Sequence, residues 1–209
     1  MATASNDPAV LVPNHHGHHR GFSGISGWIA ALSMRSGRTG DAELALSLTG
    51  VVSGRRVVDI GCGPGVAARL AAARGAEVTG VDPSGVMLSV ARRDDRRRTV
   101  TWAQGAAENL PLADNSVDVA WSLSTVHHWP DLDAGLAEVR RVLAGGGCFL
   151  ATERCVKPGA TGLASHGWTT QQAESFAALC TSAGFHDVRC SSHETKRGLL
   201  VAVLAHTSD

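Results

Sequence analysis

Three groups of residues in this chain have types and spacings that could do chemistry. The first is Asp59-Ile60-Gly61-Cys62-Gly63-Pro64-Gly65. Gly61, Gly63 and Gly65 let the backbone turn sharply with no β-carbon in the way, and they let a ligand press against the main chain. A helix starting near Val66 would then offer free N–H groups and a positive dipole end to an anionic or polar group. The second group is Asp82-Pro83, closing the run Glu77-Val78-Thr79-Gly80-Val81. A carboxylate at the end of a second strand can accept both hydroxyls of a ribose; by itself the same pair would read as the start of a turn.

The third group is His127-His128, with Glu153 further along. An imidazole of ordinary pKa, about 6.5, suits removal of a proton from an acceptor. The blander reading has one histidine capping the next helix or packing beside Trp129. Glu153 either orients a histidine or binds a substrate hydroxyl, or it is a surface carboxylate paired with Arg154, as exposed ion pairs commonly are. In His15-His16-Gly17-His18-His19, four histidines fall within five residues. That tract reads as a polar arm, as part of a lid over a site, or as metal ligands. No Cys, Asp or Glu stands beside it at ligand spacing, so no metal site is expected.

The elements that must position these groups follow from the pattern. Arg56–Ile60, Glu77–Val81, Val100–Ala103, Val117–Ser122 and Cys148–Thr152 are expected strands. Helices are expected over Val66–Arg74, Val86–Arg93 and Leu132–Leu143, the last closed by Gly145-Gly146-Gly147. A further helix, Thr169–Ala183, is capped by Thr169 or Thr170 and ended by Gly184. Phe185–Ser191 and Gly198–Ala205 close the chain as strands. Strands alternating with helices imply a parallel sheet covered on both faces, with right-handed crossovers. Before the first strand, residues 1 to about 20 read as a mobile arm. Gly21–Met34 and Asp41–Leu48 read as short helices, so residues 1–50 form an arm with lid helices and 51–209 the main domain.

Bulk properties bound the function. The 209 residues suit one α/β domain, and 44% hydrophobic content supplies a core. Formal net charge is zero, which lowers the expectation of a nucleic-acid partner. Arg92-Arg93-Asp94-Asp95-Arg96-Arg97-Arg98 carries mixed signs and reads as a solvated helix end. No signal peptide or apolar span is evident, so a cytoplasmic protein off the membrane is expected. The five cysteines lack a C-x-x-C pair and are expected to be free thiols in a reducing compartment.

Two glycine-loop families compete. The dinucleotide fingerprint G-x-G-x-x-G, counted from Gly61, requires glycine where Val66 stands. The spacing present is G-x-G-x-G. From about Val57 to Leu150 the chain instead resembles the class I S-adenosylmethionine-dependent methyltransferases of the UbiE and small-molecule type. The resemblance rests on Val58–Gly65 as first motif, Val78–Ser84 as acidic second-strand motif and Gln104–Pro111 after the third strand. Asp118–Ser122 with His127–Asp131, then Glu138–Leu143 with the glycine run, complete it. Where many members have Asp, this chain has Ala106, so adenine recognition would fall to backbone groups or another side chain.

The resemblance implies a Rossmann-like sheet of seven strands, six parallel and the last antiparallel, with helices on both faces. It implies S-adenosylmethionine as cofactor. Asp59 would meet the methionine amino group, Gly61, Gly63 and Gly65 would admit the cofactor, and Asp82 with Pro83 would hold the ribose. Met87, Gly105, Ala106 and Ala107 would surround adenine, and Ser122 to Ser124 would line the methionyl end. His127, His128 and Glu153 are the candidate catalytic residues. The expected reaction is methylation of a small molecule, with a sugar or natural-product hydroxyl favoured by the histidine pair. A quinone carbon, a small amine or a non-catalytic cofactor-binding role are the alternatives, and a homodimer is possible on sequence grounds.

Overall fold

A computed structural model of the chain describes residues 12–17 and 39–209. His18, His19 and the expected helix Gly21–Met34 lie outside the described residues. The strands are β1 (Arg56–Ile60), β2 (Glu77–Asp82), β3 (Val100–Gln104), β4 (Val117–Leu123), β5 (Leu143–Arg154), β6 (His186–Thr195) and β7 (Gly198–His206). The helices are α1 (Thr39–Thr49), α2 (Val66–Ala73), α3 (Gly85–Asp94), α4 (Leu132–Val142) and α5 (Thr170–Ser182).

The strands form one sheet in the order β3-β2-β1-β4-β5-β7-β6. β1 pairs in parallel with β2 and β4, and β4 with β5, while β7 runs antiparallel to both β5 and β6. Alternate residues face opposite sides of such a sheet. Val58, Ile60, Ala120, Phe149 and Ala151 pack with Leu136 and Val139 of α4 and Phe176 of α5. Val57, Val119, Trp121 and Leu150 pack with Ala45 and Leu46 of α1 and Ala68 and Ala71 of α2. Both faces are therefore covered, as parallel strands require. The Trp121 indole donates to Thr49 Oγ1 at 3.2 Å, which docks the end of α1 on the second face.

Each boundary that departs from the pattern has a local cause. The glycine run does not form a turn before β5; it lies within it. Leu143 pairs with Val117, and the register then shifts at a bulge before Cys148 meets Val119. Gly146 takes φ +66° there, a value that a bulge tolerates with glycine. β6 runs past Ser191 to Thr195 and pairs with β7 up to Thr195 and Gly198. It is an edge strand whose side chains are almost all exposed or half-buried, so it lacks the apolar alternation that would mark its end. α5 carries the full capping box, with Thr169 Oγ1 accepting from Gln172 N and Gln172 Oε1 accepting from Thr169 N. Residues 12–17 are not a loose arm: Trp168 Nε1 donates to Pro13 O at 2.8 Å, Gln172 Nε2 to Val12 O at 3.1 Å, and Asn14 Nδ2 to Trp129 O at 2.9 Å. No helix among the described residues is long and apolar enough to cross a membrane.

Candidate active site

The order of the sheet reverses between β1 and β4, and a crevice outside their carboxyl ends is the expected ligand site. A cavity of about 860 Å³ opens there, within the roughly 300–1,000 Å³ of ligand sites. Asp59, Gly61, Gly63, Asp82, Pro83, Met87, Gly105, Ala106, Ala107, Ser124 and His128 line it. The expected cofactor and base residues thus converge on one space from the ends of four strands.

The three glycines divide in role. Gly63 has φ +53°, and a β-carbon there would meet nothing within 4 Å. It is the position left open toward the cavity. Gly65 does not line the cavity: it has φ +76°, and a β-carbon would run into the Trp102 ring. Its smallness serves packing. Gly61, at φ +71°, is pressed by the Thr125 side chain. Ser122 also stands behind the wall, fully buried, with Oγ 2.6 Å from Thr125 Oγ1. Thr125 in turn donates to Ile60 O at 3.1 Å, so these two hydroxyls tie the loop after β4 to the end of β1.

Asp82 is 6% exposed. Its Oδ2 accepts from Gly63 N and its Oδ1 from Ser84 N, each at 2.8 Å. One carboxylate therefore fixes the glycine loop and starts α3, whose N-cap Ser84 accepts from Met87 N. Burial raises the Asp82 pKa, and the two backbone bonds offset part of that. Cys62 beside it is pushed well above the ordinary thiol value by burial and by the charges of Asp59 and Asp82. It is a protonated packing residue and not a nucleophile.

Glu153 is not a surface carboxylate. It is fully buried, and both its oxygens lie 2.9 Å from His127 Nδ1. Its Oε1 also accepts from His127 N at 3.3 Å. Arg154, the neighbour expected to pair with it, donates instead to the His166 and Ala164 carbonyls. A carboxylate cannot donate, so Nδ1 of His127 carries the proton, and in the neutral ring Nε2 keeps a bare lone pair. That Nε2 is buried with no hydrogen-bond partner, an arrangement that ordinarily costs about 1–3 kcal/mol.

Around it stand other imidazoles. Ring centroids of His127 and His128 are 4.0 Å apart, and those of His127 and His166 are 5.5 Å apart. His16 stacks on His166 at 4.4 Å. Burial, followed by the neighbouring His127, His166 and His16, lowers His128 to about 3, so its ring is neutral at neutral pH. His128, His166 and His16 line the cavity, while His127 and Glu153 stand behind them. His15 packs on His16 with ring centroids 4.5 Å apart, but its nitrogens are engaged elsewhere: its Nε2 lies 2.9 Å from Ser165 O and its Nδ1 3.3 Å from Gln172 Nε2. A neutral ring that donates to the carbonyl and accepts from the amide satisfies both, so His15 is a fastener.

Sequence reasoning missed His166, Asp41, Thr125 and Glu108, all on the cavity wall. His166 follows a 3₁₀ turn (Gly162–Ser165) inside a stretch otherwise marked only by Pro and Gly. Asp41 lies in the first turn of α1. Neither has a spacing relation to the motifs.

A doubly wound sheet with a lone antiparallel β7, a glycine loop after β1 and an acidic end to β2 defines the class I methyltransferase fold. Comparison with known proteins agrees. Residues 58–151 match the family described as Methyltransferase domain. A ubiquinone/menaquinone biosynthesis C-methyltransferase, UbiE, of Rubrivivax gelatinosus is 41% identical over 101 residues, covering 48% of this chain and 40% of that one. A fatty-acid O-methyltransferase of Mycolicibacterium smegmatis is 36% identical over 104 residues, covering 49% and 38%. This chain thus spans less than half the length of these relatives. A phosphoethanolamine N-methyltransferase 2 of Haemonchus contortus, solved with S-adenosyl-L-methionine, superposes with TM-score 0.73 at 21% identity, covering 88% of this chain and 57% of that one. Residues 58–151 thus resemble a methyltransferase domain, set in a fold shared with a protein solved with S-adenosyl-L-methionine.

The residues present fit that cofactor. Gly63 leaves the main chain open, Asp82 and Asp59 offer carboxylates to hydroxyl and ammonium donors, and Met87 with Ala106 and Ala107 provides an apolar slot. Glu108 lies on the same wall, a carboxylate near the place where Ala106 cannot accept.

Proposed function

We propose that the chain methylates a hydroxyl group of a small molecule. The observation that carries this reading is the buried Glu153–His127 pair set behind His128 at the wall of the cofactor cavity. Methyl transfer from a sulfonium is an in-line displacement, and the bound cofactor supplies the electrophilic methyl group. What the protein must add is alignment and, for a hydroxyl, removal of a proton.

Asp59, Asp82 and the open face of Gly63 would hold the cofactor. His128 would meet the acceptor hydroxyl as a neutral imidazole that accepts its hydrogen bond, its basicity held down by burial at the cavity wall. His127 and Glu153 act through it as positioning residues: the Glu153 charge favours a proton arriving on the imidazole cluster, as a carboxylate behind a histidine does in hydrolases. A hydroxyl must lose its proton as it is methylated, and the imidazoles at the cavity wall give that proton a destination, which is why the hydroxyl is favoured. A small acceptor suits a cavity closed on one side by His16, Gly17 and His166.

The test uses the purified chain with S-adenosylmethionine and panels of hydroxyl, amine and ring-carbon acceptors, following release of S-adenosylhomocysteine. Calorimetry with S-adenosylmethionine, S-adenosylhomocysteine and NADH runs beside it. Turnover on a hydroxyl acceptor is expected, falling about 100-fold or more in His128→Ala with cofactor affinity near wild type. Full turnover in that variant, or turnover confined to amines or carbons, would refute the hydroxyl reading.

A further inference from the structure

Methyl transfer does not by itself require five histidines, His15, His16, His127, His128 and His166, packed ring against ring. Among the described residues, His127, His128 and His166 present ligand nitrogens that all lie within 4.8 Å of one another. His127 comes from the 3₁₀ turn after β4 (Val126–His128), and His166 from the loop after β5. We propose that these three histidines form a binding site for one divalent cation of the zinc class, with an open position facing the cofactor cavity.

The donor chemistry selects that class. Neutral imidazoles suit zinc and its late transition-metal neighbours, whereas calcium and magnesium require oxygen ligands. His127 is 3% exposed, and its Nε2 is buried without a hydrogen-bond partner on the side of the ring away from Glu153. Glu153 holds the opposite nitrogen through both oxygens at 2.9 Å. A carboxylate on the far nitrogen of a ligating histidine is the arrangement that fixes the tautomer and strengthens the ligand in metalloproteins.

Three histidines with a fourth position open is the ligand count of a catalytic zinc site, not a structural one. At zinc–nitrogen distances of about 2.0–2.1 Å, ligand nitrogens sit roughly 3.4 Å apart. The half-buried rings of His128 and His166 would draw in by about an ångström while Glu153 keeps His127 in place. His128 and His166 both line the cavity, so the open position falls there. An acceptor oxygen bound at it would have its pKa lowered by the ion, which would then take the place of the His128 lone pair as the partner of that oxygen. That role deepens the methyl-transfer reading and rests on it; the binding itself does not.

No thiolate or carboxylate stands at ligand spacing beside the N-terminal histidine tract. The fold draws its ligands from elsewhere in the chain and places the carboxylate behind one of them. His18 and His19 supply the control that the test needs.

The experiment uses the full, tag-free chain stripped with chelator, then titrated with Co²⁺ followed optically and with Zn²⁺ by calorimetry. One ion per chain, with the intense visible bands of four-coordinate Co²⁺, is expected. Added thiol should shift those bands if a position is open. His166→Ala should abolish tight binding, and Glu153→Gln should weaken it about 10–100-fold. The double variant His18→Ala/His19→Ala should bind as wild type. Absence of Co²⁺ bands, binding that survives His166→Ala, or binding lost with His18 and His19 would each overturn the site. Affinity for S-adenosylmethionine, measured on every variant, reports folding. It also separates the two readings, because failure of the metal site leaves cofactor binding intact.

Discussion

Replacing Asp82 by Asn tests the ribose assignment and the loop geometry together. The Asp82 carboxylate holds Gly63 N on one oxygen and Ser84 N on the other, each at 2.8 Å. Asparagine keeps one acceptor and turns an amide NH₂ toward the other backbone N–H. One buried N–H then loses its partner, at about 1–3 kcal/mol, and part of this falls on the folded loop before any ligand binds. Each ribose hydroxyl would exchange a charge-assisted bond for a neutral one, at about 1 kcal/mol. Affinity for S-adenosylmethionine should drop by about 1.5–3 kcal/mol, or roughly 10- to 150-fold, by calorimetry.

The pH dependence sharpens the test. Burial raises Asp82 above its ordinary 3.8 in the free protein. Ribose hydroxyls donate to the charged carboxylate, so binding must pull that value down. By linkage, affinity is full above the raised pKa and declines as pH falls through it toward 3.8. Asp82→Asn should flatten the curve in this window. Wild-type affinity in the variant, or an unchanged acid limb, would refute the assignment of Asp82 to the ribose.

Two further perturbations probe the scaffold. Gly63→Ala and Gly65→Ala look alike in sequence and should separate in the laboratory. Both add a β-carbon at positive φ, at about 1–2 kcal/mol, but only Gly65→Ala also collides with Trp102. Thermal denaturation should show Gly65→Ala clearly less stable, while Gly63→Ala keeps most of its stability and loses cofactor affinity; equal melting temperatures would contradict the division. Asp95→Asn concerns stability alone. Its carboxylate accepts from Thr99 N and Oγ1, Val100 N and Trp102 Nε1 at 3.1–3.2 Å. Burial would raise its pKa, but these bonds outweigh burial and bring it below 3.8. Its stabilisation is thus present above 3.8 and lost as pH falls through the lowered value. The variant should unfold about 1–3 kcal/mol more easily at neutral pH, with a shallower loss in acid. A variant as stable as wild type at pH 7 would show the network to be idle.

β1, β2 and β3 were legible because each is a short run with β-branched residues that ends at Gly61, Pro83 or Gly105. The cofactor side of the site was legible for the same reason: its residues follow those strands directly. The acceptor side was not. Glu153 follows an apolar strand and precedes an arginine, a context that ordinarily marks a surface ion pair. Only the fold supplies its partner, 26 residues earlier in the chain. His166 and the docked segment 12–17 are tertiary neighbours with no local pattern. Trp102 gave no signal either. Asp95 holds its indole at 3.2 Å, and a β-carbon on Gly65 or Gly80 would strike its ring. An acidic residue in a run of arginines therefore supports the glycine loop from below.

The meeting of Glu153 with His127 follows from register. β4 and β5 run in parallel with Ser122 opposite Ala151 and Leu123 opposite Thr152. The turn that leaves β4 and the residue after Thr152 must then emerge at the same edge. Along β5, Phe149, Ala151 and Glu153 share one face, the face packed with Trp129 and Trp168. That apolar surrounding makes an ionised Glu153 expensive unless it is bonded, and His127 supplies both a ring N–H and a backbone N–H. A slip of one residue between β4 and β5 would carry Glu153 to the opposite face and leave His127 without its carboxylate. The chain pays for holding a charge there, and the position it occupies, one imidazole removed from the cofactor cavity, is where an acceptor proton or a cation would make use of it.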